Sequence, residues 1–139
     1  MRKILDEYLE ENGLAAMRDD NDVVFSVNGL YFLFRSFPDD PFFFRMFLPK
    51  IEDHDVKERR DIIAEINQQF KVAKILEIDN RPWIVADCFV YSKENGHALI
   101  GRLIKLLTDV INEYRERVSE LDNPETKTNN EDNNSTQSR

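Results

Sequence analysis

Residues 22–49, DVVFSVNGLYFLFRSFPDDPFFFRMFLP, hold eight of the chain's ten phenylalanines and read as three β-strands separated by two turns. Asn28-Gly29 stands between two apolar runs, and a type I′ turn needs positive φ at both of its central residues, which Asn-Gly supplies at low steric cost. A two-residue turn also sets register. Val27 then faces Leu30, Phe25 faces Phe32 and Val23 faces Phe34, so one side of the hairpin is wholly apolar. The other side carries Val24, Ser26, Tyr31, Leu33 and Arg35, a mixed surface. After the loop Phe37-Pro38-Asp39-Asp40-Pro41 a third strand runs from Phe42 to Leu48 and is closed by Pro49. Its three successive phenylalanines alternate between faces.

Helical patterns flank this run. Ile4, Leu5, Tyr8 and Leu9 recur at helical spacing with acids between them, and Asn12-Gly13 supplies a left-handed stop. Arg18-Asp19-Asp20-Asn21-Asp22 reads as a solvated loop into the first strand. Beyond the run, Asp55 and Glu58 match a capping box, and Val56, Ile62, Ile63, Ile66 and Phe70 give the helix that follows an apolar stripe. A second hairpin joins Ala73–Ile78 to Arg81–Val90 through Asp79-Asn80, with Pro82 at an unpaired position. Ala98 to Ser119 repeats apolar residues with a helical period and would extend about 33 Å at 1.5 Å per residue, further than five strands are wide at about 4.8 Å each. The expected architecture is α+β, in the order αβββαββα, with a three-stranded antiparallel meander, a β-hairpin and a long last helix. Residues 1–119 read as a single domain. From Glu120 on there is no aromatic residue and one aliphatic one, so 120–139 reads as a disordered acidic polar tail.

A hydrophobic fraction of 41%, a charged fraction of 33% and a length of 139 residues suit one globular domain with a real core. The net charge of −8 argues against nucleic acid and against an anionic membrane surface, both of which favour a cationic face. No stretch approaches the roughly 18 apolar residues of a membrane span. The first residues, MRKILDEYLEENG, are amphipathic and acidic and lack a secretory h-region. Cys88 is the single cysteine and has no intrachain partner, which makes a reducing cytoplasm the expected setting.

No phosphate-binding glycine loop, nucleophile elbow or Cys-x-x-Cys pair occurs, and no cofactor or catalytic residue is expected. His54 and His97 each stand near a helix N-terminus, with nothing in their spacing to bring them together. Glu52-Asp53-His54-Asp55 offers the ligand types of a divalent ion, but consecutive side chains diverge, and helix capping is the simpler reading. Asp19, Asp20 and Asp22 lack the glycine and closing glutamate of a calcium loop. Asp39-Asp40 is a turn. Cys88 has no basic neighbour in sequence that would activate it and reads as a buried thiol.

The second hairpin's register puts Leu76 opposite Trp83 and Lys74 opposite Val85, while Ala73, Ile75, Ile84 and Ala86 share the other side. Leu76, Trp83 and Val85 would then join Val24, Tyr31 and Leu33 in an apolar surface that helices on one side of the sheet cannot cover. Either helix two crosses to this second face and buries it, or the face binds something. The leading reading is a non-enzymatic protein-interaction module, chaperone-like or regulatory, that uses Val24, Tyr31, Leu33, Leu76, Trp83 and Val85 for a protein partner or a homodimer. The alternative is a small-ligand pocket between the Phe-rich strands and the last helix. A third is a metal-dependent enzyme using Glu52, His54 and Asp55.

The element order, with Ile66-Asn67-Gln68-Gln69-Phe70-Lys71-Val72-Ala73-Lys74 leading into an Asp-Asn hairpin, resembles the YbjN-like family. The resemblance spans Ile4 to Val118 and includes Phe25, Gly29-Leu30-Tyr31, the Asp40-Pro41-Phe42-Phe43 start of strand three and the Asn67 that closes helix two. It implies the fold of the type III secretion chaperones: a compact α+β interaction module, often dimeric, with no enzymatic activity common to the family and no catalytic residues to carry over.

Overall fold

The computed structural model describes residues 2–49, 51–52 and 56–122. Its elements are α1 (Arg2–Glu11), β1 (Ala16–Arg18), β2 (Asp22–Val27), β3 (Leu30–Phe37), β4 (Asp40–Leu48), a 3-10 turn (Val56–Arg59), α2 (Arg60–Gln69), β5 (Ala73–Ile78), β6 (Arg81–Phe89) and α3 (Lys93–Asp122). The strands form one six-stranded antiparallel sheet in the order β1-β2-β3-β4-β6-β5.

Both hairpins turn as their sequences require. Asn28 and Gly29 have φ of 51° and 83°, and Asp79 and Asn80 have φ of 52° and 63°. The registers follow: Phe25 pairs with Phe32 and Val23 with Phe34 in the first hairpin, and Leu76 pairs with Trp83 and Lys74 with Val85 in the second. The meander gains a strand that the sequence pattern does not announce. Ala16–Arg18, three residues long, pairs with β2 as the sheet's edge, and Arg18 reaches α1 through an ion pair with Asp6. Asp19 to Asp22, expected as an open loop, is a tight turn closed by reciprocal backbone bonds of 2.9 and 3.1 Å between its two ends.

All three helices lie on one face. Phe25 stacks on Phe32 at 5.7 Å and Phe34 on Phe44 at 4.7 Å, and this aromatic floor is sealed by Leu5 and Leu9 of α1, Ile66 of α2 and the Ile100–Tyr114 stripe of α3. Removing one such buried phenylalanine costs about 3–5 kcal/mol in comparable cores. Ile66 shares that core with Ile75 and Ile84, so α2 stays with α1 and α3 and does not cross the sheet.

The last helix is longer than its periodicity suggests, starting at Lys93 rather than Ala98 and ending at Asp122 rather than Ser119. Its 30 residues extend about 45 Å. Ser92 caps it by accepting the Asn95 amide at 3.1 Å. Asn95-Gly96 reads locally as a break, yet Gly96 is there for contact: a Cβ on it would stand 2.8 Å from Cγ2 of Ile4. The start of helix two also differs. Glu58 belongs to the 3-10 turn, α2 begins at Arg60 with no side-chain cap, and Asp55 of the expected capping box lies outside the described residues. Residues 123–139 of the expected tail likewise lie outside them.

The junction of α2 with β5 is built from unusual parts. The Asn67 carboxamide donates to the Ile75 carbonyl at 3.0 Å and accepts the Ile75 amide at 2.7 Å, pairing with β5 as a neighbouring strand would. Val72 has φ of 72°, and the Ala73 amide donates to the Lys71 carbonyl across it at 2.8 Å, which closes a γ-turn. Lys74 Nζ donates to the Asn67 and Phe70 carbonyls at 2.5 and 2.8 Å, placing a cation at the negative end of α2.

Candidate functional site

Because α2 stays with the other helices, the reverse face of the sheet carries no helix among the described residues, and its side chains can be followed row by row. Met17, Val24, Leu33, Phe47, Val85 and Lys74 form one row across the six strands. Beyond it on one side stand Tyr31 beside Ser26 and Trp83 beside Leu76. On the other side a charged row, Asp22, Arg35, Arg45 and Asp87, crosses β2, β3, β4 and β6. Phe43 and Phe89 pair beyond that, with Phe37 against Phe43 at 5.2 Å. The face is thus two apolar zones divided by a band of charge.

All six residues expected on this face are there, at different depths. Tyr31 is 67% exposed and Leu76 48%, whereas Val24, Leu33 and Trp83 are half-buried. Val85 is only 6% exposed and serves as floor beneath its neighbours. Phe47, which the sequence reading does not include, is the centre of this zone. It meets Trp83 edge-on at 5.7 Å and lies under the Arg35 guanidinium at 5.3 Å.

The charged band is held rigidly. Arg35 donates to Asp22 from Nε at 2.8 Å and from Nη2 at 3.0 Å, and Arg45 donates to Asp87 from the same two nitrogens at 2.5 and 3.0 Å. Each guanidinium also covers a ring, Arg45 over Phe37 at 5.9 Å. The hydrogen bonds from Arg35 hold the Asp22 carboxyl below the usual carboxylate range, and Asp22 and Asp87 push their arginines further up. Alternation along β4, Phe43-Arg45-Phe47, was the available signal for this band. Its partners on β6 were not readable, because β4 and β6 pair directly in the sheet but are separated in sequence by α2 and β5.

Other sequence candidates do not converge. Asp22 faces Arg35, the Asp20 carbonyl accepts from Arg2 at 2.6 Å, and no group of three or more metal-ligating side chains gathers among the described residues. Of Glu52-Asp53-His54-Asp55, Asp53, His54 and Asp55 lie outside the described residues, while Glu52 accepts the Tyr114 hydroxyl and pairs with the buried Arg59 at 3.5 Å. Burial and the hydrogen bond to Glu52 raise the Tyr114 hydroxyl well above its ordinary range. Asp40 turns its carboxylate back onto the Phe42 amide at 3.1 Å. His97 lies between Glu7 and Glu11 of α1, at 3.6 and 3.4 Å. The Cys88 thiol is half-buried and pushed up by burial, a poor nucleophile.

The space between the Phe-rich strands and α3, where the alternative reading puts a ligand, is occupied by Phe25, Phe32, Phe34 and Phe44, none more than 2% exposed. A groove of 370 Å³ lies elsewhere, between Ile51-Glu52 and the C-terminal half of α3, lined by Tyr114, Val118 and Asp122 among others.

Among the described residues, three helices on one face of a six-stranded antiparallel sheet, with the other face left to side chains, define an α+β protein of the kind the residue motifs resemble. The chain has the YbjN-like fold. It superposes on the crystal structure of YbjN from E. coli, described there as a candidate transcription regulator, with a TM-score of 0.61 and 13% identity, covering 84% of this chain and 93% of that one. No protein-family model matches the sequence, and no curated protein is significantly similar to it. No described helix is long and apolar enough to cross a membrane.

Proposed function

We propose that this chain is a non-enzymatic protein-interaction module, chaperone-like or regulatory, whose docking surface is the sheet face on which no described helix lies, around Tyr31, Leu33, Trp83 and Leu76. The observation that carries the reading is the exposure of Met17, Tyr31, Leu76 and Phe89 on that one face, between 48% and 76% each. Side chains of this size left in water on one surface are the mark of an interaction site. Val85 and Phe47 act beneath them as a firm floor. In this reading the chain works in the cytoplasm and binds protein rather than nucleic acid, in keeping with a net charge of −8 and a single cysteine.

The test is the double substitution Tyr31→Lys/Trp83→Lys beside wild type in an affinity pull-down from native cytosol, with sedimentation of the purified proteins alongside. One specific partner, or self-association, that disappears in the variant supports the reading. Equal capture by both, from a protein that sediments as a monomer with Trp83 fluorescence fully buried, would refute it.

A further inference from the structure

Arg35 and Arg45 stand directly opposite each other on β3 and β4. Like charges in that position repel. Each is relieved from the outside by a carboxylate, so the order across β2, β3, β4 and β6 is acid, base, base, acid. The carboxylates take Nε and Nη2 of each guanidinium and one face of each covers a phenylalanine ring, while Nη1 of both makes no hydrogen bond to a described residue. Two guanidiniums are thereby fixed side by side with donors left over. Side chains already locked in place lose little entropy when they bind, and a guanidinium suits a carboxylate better than an ammonium does.

We propose that Arg35 and Arg45 together bind a carboxylate of a partner protein, presented by an acidic segment whose Asp or Glu is flanked by apolar side chains. The proposal rests on the docking role given above and adds the partner's chemistry. The flanking groups would rest on the two zones either side of the charged band, Leu33 and Trp83 on one and Phe43 and Phe89 on the other. Charge favours this occupant. In the paired rows of the face Arg35, Arg45 and Arg81 outnumber Asp22 and Asp87, the Lys74 ammonium being turned away to the end of α2, in a chain whose net charge is −8. The remainder of the molecule is more acidic still. A second copy packed face to face with the two bands in register would set arginine against arginine, which favours a different chain as occupant.

The experiment sorts a displayed library of random peptides on three proteins: wild type, Tyr31→Lys/Trp83→Lys, and the neutralised set Asp22→Asn/Arg35→Gln/Arg45→Gln/Asp87→Asn, which leaves the net charge unchanged and orphans no partner. Wild type should enrich peptides with an acid between apolar residues, binding should weaken as salt rises, and affinity should fall about tenfold or more on the neutralised set, equivalent to about 1.4 kcal/mol. Arg35→Lys/Arg45→Lys keeps the charge without the fork and should lose affinity too; it carries the test if the neutralised set does not fold. Peptides lost on Tyr31→Lys/Trp83→Lys but retained on both arginine variants overturn the carboxylate role and leave the docking face standing. Peptides indifferent to every variant overturn both. Arginine-dependent binding of a DNA duplex in place of acidic peptides, or a homodimer dissolved by neutralising the band, overturns the proposal in favour of phosphate or of a second copy.

Discussion

Asp22 is the first residue of β2, and the hydrogen bonds from Arg35 make its charged form more favourable in the folded chain than in the unfolded one. A carboxyl held low contributes stability that is present above its unfolded value of about 3.9 and disappears as pH falls through the lower folded value. The pair is partly exposed, so its worth is modest, about 0.2–1 kcal/mol. Wild type should therefore exceed Asp22→Asn in urea midpoint at neutral pH, and the two should converge on acidification below about pH 4. A gap that stayed constant into acid would show that the ion pair is not its source. The same bonds shape the surface. Without Asp22 and Asp87, Arg35 and Arg45 would swing apart, and the rings of Phe47 and Phe37 beneath them would be wetted.

At the level of the elements, the α2–β5 junction stores strain. A β-branched residue at positive φ is held there by its surroundings, and left-handed backbone costs an L-residue about 1–2 kcal/mol. Val72 is 58% exposed, so its side chain returns little of that. Glycine is free of the strain but gains about 0.5–1 kcal/mol more entropy on unfolding. Relief exceeds entropy, and Val72→Gly should stabilise the fold by about 0.5 kcal/mol, read as a higher urea midpoint with no change in slope; a lower midpoint would mean that Val72 is packed better than its exposure implies. This turn was not legible in the sequence, whereas both hairpins were. Asn28-Gly29 and Asp79-Asn80 carry their conformation in their own residues, and a two-residue turn dictates every pairing that follows. The limits of α3 were obscured by Gly96, chosen for the approach of α1. The pairing of β4 with β6 is long-range, which is why Trp83 was placed on the right face while Phe47 and Asp87, its companions there, stayed out of sight. Val85 shows the same limit from the other side: register gives its face, and only neighbours across strands decide its depth.

The whole molecule is closed at one end by a polar knot. Tyr114 donates to Glu52, which pairs with Arg59, and Arg59 reaches Asp122 at 3.3 Å, tying together the segment before α2, the 3-10 turn and both middle and end of α3. A phenol raised above its unfolded value of about 10 contributes stability that is complete below that pH and is lost as pH climbs through the folded value. Alkaline titration followed by ultraviolet difference absorbance should show Tyr114 ionising only as circular dichroism reports unfolding, and Tyr114→Phe should remove that phase; a Tyr114 that ionised ahead of unfolding would contradict the knot. The opposite limits of the molecule are its two sheet edges. One is a strand of three residues, and the other already finds its next hydrogen-bonding neighbour within the chain, in the Asn67 carboxamide. Backbone edges recruit without regard to sequence and can do so indefinitely, each added strand exposing another. With Asn67 acting as a terminal half-strand, lateral growth has no starting point at Ile75. The reverse face offers a newcomer side chains instead, a surface that saturates after a single guest and can reject the wrong one. The same carboxamide that finishes α2 thereby closes β5 at Ile75 to a further strand.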